Sequence, residues 1–180
     1  MRSLLILLLA CPFLALAQDY RPSLTAKRDP PMSHTVALKG GAGVLRSADQ
    51  YFTQVKYLAL SAQWPLWKSL KHQFEMGAYL DTQKQLGRKS AYYAAYQVGP
   101  HMSLGYFYAE MLTGVGFISH PDTILGGPFQ FFHDLGVGLR DEDGFGIGVG
   151  YKHISSAGLE TPNLGRDLIY LKVTIPFGAP

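Results

Sequence analysis

Gly144, Gly146, Gly148 and Gly150 interleave with Phe145, Ile147, Val149 and Tyr151 along one unbroken stretch of chain. A two-residue period is that of a β-strand, whose successive side chains point to opposite faces of the sheet. The next such run sets Asp167, Ile169, Leu171, Val173, Ile175 and Phe177 against Leu168, Tyr170, Lys172, Thr174 and Pro176. An earlier one sets Phe74, Met76, Ala78 and Leu80 against Gln73, Glu75, Gly77, Tyr79 and Asp81. Eight runs of this character are predicted, at about 33–44, 54–65, 71–81, 91–99, 104–117, 128–140, 144–155 and 167–177. Most are close to the ~9–11 residues with which a tilted strand crosses a bilayer.

Period alone does not say which face is the core, so a soluble sandwich with its apolar face inward competes with a membrane barrel. Three features favour the barrel. Most strands are long, the connections alternate between long and short, and the polar face is rich in Gly and Tyr, as the packed interior of a small barrel requires. Charges on that face, such as Glu75, Lys152 and Lys172, would point inward and pair. The expected architecture is therefore all-β: an eight-stranded antiparallel transmembrane β-barrel of the bacterial outer membrane, spanning 33–180. With both chain ends on the periplasmic side, the four longer connections face outward. Trp64 and Trp67 then sit at the periplasmic interface, where indoles are favoured.

The N-terminus reads as a targeting segment. Arg2 precedes an apolar stretch from Leu4 to Leu14, and Ala15-Leu16-Ala17 supplies the small residues of a cleavage site. A secretory signal peptide over 1–17 and a Pro-rich periplasmic arm over 18–32 are expected. Leu8-Leu9-Ala10 before Cys11 is an alternative, lipobox-like reading. Cys11 is the single cysteine, so a chain cut after Ala17 has no thiol chemistry. Removing Arg2 from the 16 basic residues leaves 15 against 13 acidic ones. That balance excludes a clustered basic surface of the kind that binds nucleic acid.

Chemistry concentrates in residues 151–167, Tyr-Lys-His-Ile-Ser-Ser-Ala-Gly-Leu-Glu-Thr-Pro-Asn-Leu-Gly-Arg-Asp. His153 and Ser155 share one strand face, and Asp167 opens the next strand. Parity turns all three toward lipid. A lone histidine on a strand is usually structural, but an ionisable group in that position is costly, and function is the usual reason to keep one. Hydroxyl, imidazole and carboxylate are the parts of a nucleophilic hydrolase. In that reading Ser155 attacks, His153 carries the proton and Asp167 orients the imidazole. Backbone N–H groups of Ala157 and Gly158, with Asn163, are candidates for an oxyanion. His34, His72, His101, His120 and His133 lack ligand-like spacing, so neither a metal nor another cofactor is expected.

The same segment, with His153-x-Ser155, Ala157-Gly158 and Pro162-Asn163-x-Gly165, resembles the C-terminal motif of the outer-membrane lipid A 3-O-deacylases, the PagL family. The resemblance implies an eight-stranded barrel that hydrolyses the 3-position ester of lipid A, with lipopolysaccharide as substrate and outer-membrane lipid as surroundings. Carried over by position, it implies Ser155 as nucleophile, His153 as base, Asp167 as acid and Asn163 near the site. The chain departs from the family pattern twice: Asp167 stands where Glu is usual, and Ser156 where Asn usually follows the nucleophile. A non-catalytic scaffold or adhesin barrel, and a broader phospholipase or acyl esterase, remain the competing functions.

Overall fold

The computed structural model describes residues 34–44, 55–67, 69–81, 90–121, 124–161 and 163–177. The expected signal peptide (1–17) and arm (18–32) lie outside them. Eight strands follow one another in sequence: β1 (Thr35–Val44), β2 (Val55–Trp67), β3 (Leu70–Asp81), β4 (Ala91–Leu104), β5 (Phe107–Ile118), β6 (Phe129–Arg140), β7 (Gly146–Ser155) and β8 (Arg166–Pro176). Each pairs antiparallel with the next, and β1 with β8, so the sheet closes into a barrel without edges. The connections alternate as expected: 45–54, 82–90, 119–128 and 156–165 at one end, against 68–69, 105–106 and 141–145 at the other.

Strand parity decides what fills the barrel and what covers it. Leu58, Leu60, Phe74, Met76, Val137, Ile147, Val149, Ile169 and Leu171 are exposed on the outer wall. Lys39, Gln73, Glu75, Gln97, Lys152 and Lys172 are buried in the lumen. A wall that is apolar outside and polar inside is the inverse of a soluble protein and suits a bilayer. The large inward tyrosines need small neighbours. A Cβ on Gly150 would come within 2.3 Å of the Tyr170 ring, so the alternating glycines of β7 make room for lumenal aromatics.

Of the strand boundaries that differ from the sequence expectation, two have plain local reasons. The sequence places the end of β4 at Gly99, before Pro100, yet the strand continues to Leu104. The β4–β5 pairing lapses between Val98↔Thr113 and His101↔Glu110, so the missing N–H of Pro100 falls where the ladder is already interrupted. β7 starts at Gly146 instead of Gly144. Gly144 has φ +93° and belongs to the turn, where its N donates to Asp141 O at 3.2 Å and Asp141 N donates to Phe145 O at 2.9 Å.

Inside, the expected pairing of lumenal charges takes a specific form. Lys152 Nζ lies 2.5 Å from Glu75 Oε1 and 2.7 Å from Asp134 Oδ2. Lys39 Nζ lies 2.5 Å from Glu75 Oε2 and 3.6 Å from Asp134 Oδ2. Lys172 pairs with Glu110 instead, nearer the short-turn end. Tyr93 donates to Glu75, and Gln97 donates to Asp134 at 2.9 Å. The lumen is therefore packed and cross-linked, with β1, β3, β6 and β7 tied through one group of charges.

Candidate active site on the outer wall

β7 and β8 are paired so that His153 stands directly opposite Asp167. His153 Nδ1 lies 2.6 Å from Asp167 Oδ1, on the outer wall at the end of the barrel that carries the long connections. Direct opposition is what lets the short Asp side chain reach, since cross-strand neighbours have Cβ atoms only ~4.5–5.5 Å apart. The bond occupies Nδ1 and leaves Nε2 as the nitrogen for proton transfer, the orientation a hydrolytic triad needs. The His153 side chain is 22% exposed and that of Asp167 9%, so the pair is half-sheltered by its surroundings.

Tyr151 completes the setting of the acid. Its hydroxyl donates to Asp167 Oδ1 at 2.5 Å, so the same carboxylate oxygen meets both the imidazole and the phenol. Sequence reasoning passed over Tyr151 as one more aromatic of the outer face. Its place two residues before His153, on the same face, was the available signal.

Alternation puts Ser155 on the outer face like His153, opposite Phe131 of β6, yet Ile154, Ser155 and Ser156 are buried in succession and Ser155 is 8% exposed. The strand ends at Ser155 and a turn follows. Ser156 O accepts from Leu159 N at 3.0 Å, and Ala157 (φ 52°) and Gly158 (φ 87°) occupy the middle of the turn. Positive φ at both central residues is the geometry of a tight type I′-like turn, and Ala157 is the one described non-glycine residue that adopts it. The structure thus unites His153 with Asp167 and keeps Ser155 two residues away along β7. A Ser155–His153 hydrogen bond is not among the contacts of the described residues.

The three weaker candidates sit around this turn. Asn163 Oδ1 accepts from Ser156 N at 3.0 Å, which braces the segment after Ser155 and commits the oxygen end of the amide. Ala157 and Gly158 are exposed at the tip. Gly165 passes close to the imidazole: a Cβ there would lie 2.7 Å from His153 Cε1, and its φ of +75° suits glycine. Leu164 N donates to Ile124 O at 2.9 Å, so the connection before β6 supports the one before β8. Among the described residues no group of three His, Cys, Asp or Glu could hold a metal ion.

With this geometry in place, the chain can be set beside known proteins. Residues 56–176 match the family described as lipid A 3-O-deacylase (PagL). The chain belongs to that family. It is similar to the lipid A deacylase PagL of Bordetella bronchiseptica, 37% identical over 59 residues, an alignment covering 33% of each chain. The match thus spans about a third of that curated relative's length. It also resembles the crystal structure of the outer membrane enzyme PagL, with a TM-score of 0.60 and 22% identity, covering 79% of this chain and 99% of that one. The structural likeness bears on the fold, and the PagL family match covers β2 to β8, including both strands of the site.

Proposed function

We propose that this member of the PagL family is an outer-membrane ester hydrolase that removes the 3-O-linked acyl chain of lipid A, working from the lipid-facing side of β7 and β8. The observation that carries the reading is the His153–Asp167 pair, aligned through Nδ1 on an outer wall where an unused ionisable pair would be a liability. With the long connections facing outward, the pair lies at the outer-leaflet end, where lipopolysaccharide resides. A signal peptide over 1–17 would deliver the chain there.

Ser155 Oγ attacks the ester carbonyl while His153 Nε2 takes its proton. The tetrahedral intermediate collapses as the imidazolium returns that proton to the leaving sugar oxygen, giving an acyl-Ser155 ester. Water, deprotonated by the same nitrogen, then releases the fatty acid and restores the serine. Asp167 stabilises the imidazolium throughout. The N–H groups of Ala157 and Gly158, and the NH2 end of Asn163, are the donors nearest in sequence to the developing oxyanion. Attack requires Ser155 Oγ and His153 Nε2 to meet, and same-face residues on a strand are separated by about 6.6 Å of backbone, which the imidazole can span.

Mass spectrometry of lipid A after incubation with the purified barrel is the test. Release of a 3-hydroxy fatty acid is expected, with Ser155→Ala and His153→Ala each abolishing it while heat-modifiable migration shows an intact barrel. A second reading, a scaffold or adhesin barrel without turnover, draws on the lack of a Ser155–His153 hydrogen bond in this arrangement. It predicts folded protein and no acyl release from any lipid. Release from phospholipid as well would broaden the substrate class.

A further inference from the structure

The site does not stop at β7. Thr113 on β5 is paired with His133 on β6, and His133 with His153 on β7, which is in turn opposite Asp167 on β8. Four outward-facing polar residues therefore form one continuous row across four adjacent strands. Thr113 Oγ1 lies 2.8 Å from His133 Nδ1, and the rings of His133 and His153 stack at 6.2 Å with 25° between their planes. The next outward positions along β5 are Met111 and Val115, and along β6 Phe131 and Leu135. An imidazole and a hydroxyl in such an apolar band are costly, and the triad chemistry above uses neither.

We propose that His133, held by Thr113, is a positioning residue that buttresses the face of the His153 imidazole and keeps its Nδ1 on Asp167. The inference rests on the His153-centred reading of the site. Asp167 fixes one edge of the ring from β8, Gly165 lies against Cε1, and His133 closes the remaining side from β6. A ring held on three sides swings less between turnovers, and misplacing a catalytic group by ~1 Å costs about a hundredfold in rate. The hydrogen bond to Thr113 fixes the plane of His133 itself, so the row transmits rigidity from β5 to the nucleophile's strand.

The test uses full-length refolded protein in detergent with lipopolysaccharide as substrate, following kcat, KM, the pH profile and 15N spectra of the His153 ring. His133→Ala is expected to lower kcat about tenfold, equal to about 1.4 kcal/mol, with KM within about twofold. Its His153 signals should show mixed tautomers. His133→Phe keeps a stacked ring without charge or hydrogen bond, so it should recover most of kcat. Wild-type kcat with an unaltered His153 spectrum in His133→Ala overturns the inference, as does a His133→Phe no better than His133→Ala. Ser155→Ala is run in parallel. If it retains turnover, the triad reading fails, and the His153 spectra alone then judge the positioning role. If it is inactive while His133→Ala is normal, only this inference falls.

Discussion

Two polar assemblies stand back to back on β6 and β7. Asp134 and Lys152 are cross-strand partners facing the lumen, and His133 and His153, one residue away on the same strands, are partners facing outward. The inner assembly is closed: Lys39 and Lys152 face Glu75 and Asp134, all four side chains are 0% exposed, and the cations sit between the carboxylates. The outer row is open. It runs from Thr113 to Asp167 and holds one carboxylate for two imidazoles, and among the contacts of the described residues no hydrogen bond joins His153 to Ser155. Burial demands compensation, so the inner charges are spent on one another. In the proposed reaction the outer groups keep a basic nitrogen and a hydroxyl for a substrate. One wall, a few ångströms thick, separates cohesion from chemistry.

The comparison breaks most sharply at Asp167. Asp167→Asn leaves the lumen untouched and takes away the negative charge that orients and stabilises His153. A loss of about 10³–10⁴ in kcat is expected, the scale seen when a triad acid becomes an amide. Unfolding midpoints in denaturant should stay near wild type. An unfolding shift as large as the kinetic one would mean the outer pair is structural after all.

Lys152→Met is the reciprocal change. It removes the cation shared by Glu75 and Asp134 and leaves Lys39 as their remaining partner in the group. Breaking a buried pair in this way costs roughly 3–5 kcal/mol, so the denaturant midpoint should fall steeply. Turnover per folded molecule should change by no more than a few-fold. Stability preserved with turnover lost would erase the division of labour between the two faces.

Gly165→Ala probes the seam between fold and site. A Cβ there meets His153 Cε1 at 2.7 Å and sits at a φ of +75°. Backbone strain of about 1–2 kcal/mol is expected, and displacement of the ring should lower kcat roughly tenfold to a hundredfold. A crystal structure of the variant with the His153–Asp167 bond unchanged, alongside normal turnover, would show that the loop yields before the imidazole does.

How far the sequence reveals all this depends on which physical signal each residue emits. The strands are legible because every one obeys a two-residue period, and the alternating glycines of β7 fit the lumenal tyrosines packed against them. His153 and Asp167 are legible because parity sends both outward. Parity sends Ser155 outward as well, opposite Phe131, but does not foretell its burial at the end of β7, just before the turn through Ala157. The extension of β4 through Pro100 is hidden because a proline's effect depends on whether its missing N–H would have met a partner. His133 is hidden for a different reason. It lies 20 residues from both Thr113 and His153, so its place in the row exists only once the register of β5, β6 and β7 is known.

Tyr151 gives the smallest and most discriminating test. Its hydroxyl donates to the same Asp167 oxygen that His153 meets, so Tyr151→Phe removes that bond while keeping the ring on the outer wall. The lumen is unaffected, and stability should move by less than about 1 kcal/mol, the scale of one hydrogen bond. If the phenol merely fills space, kcat is unchanged. If it holds the carboxylate where His153 needs it, kcat falls about threefold to tenfold at constant KM, less than about 1.4 kcal/mol. Combining Tyr151→Phe with Asp167→Asn separates the two accounts. A phenol that works through the carboxylate adds little once the carboxylate is an amide, whereas an independent role makes the two losses multiply.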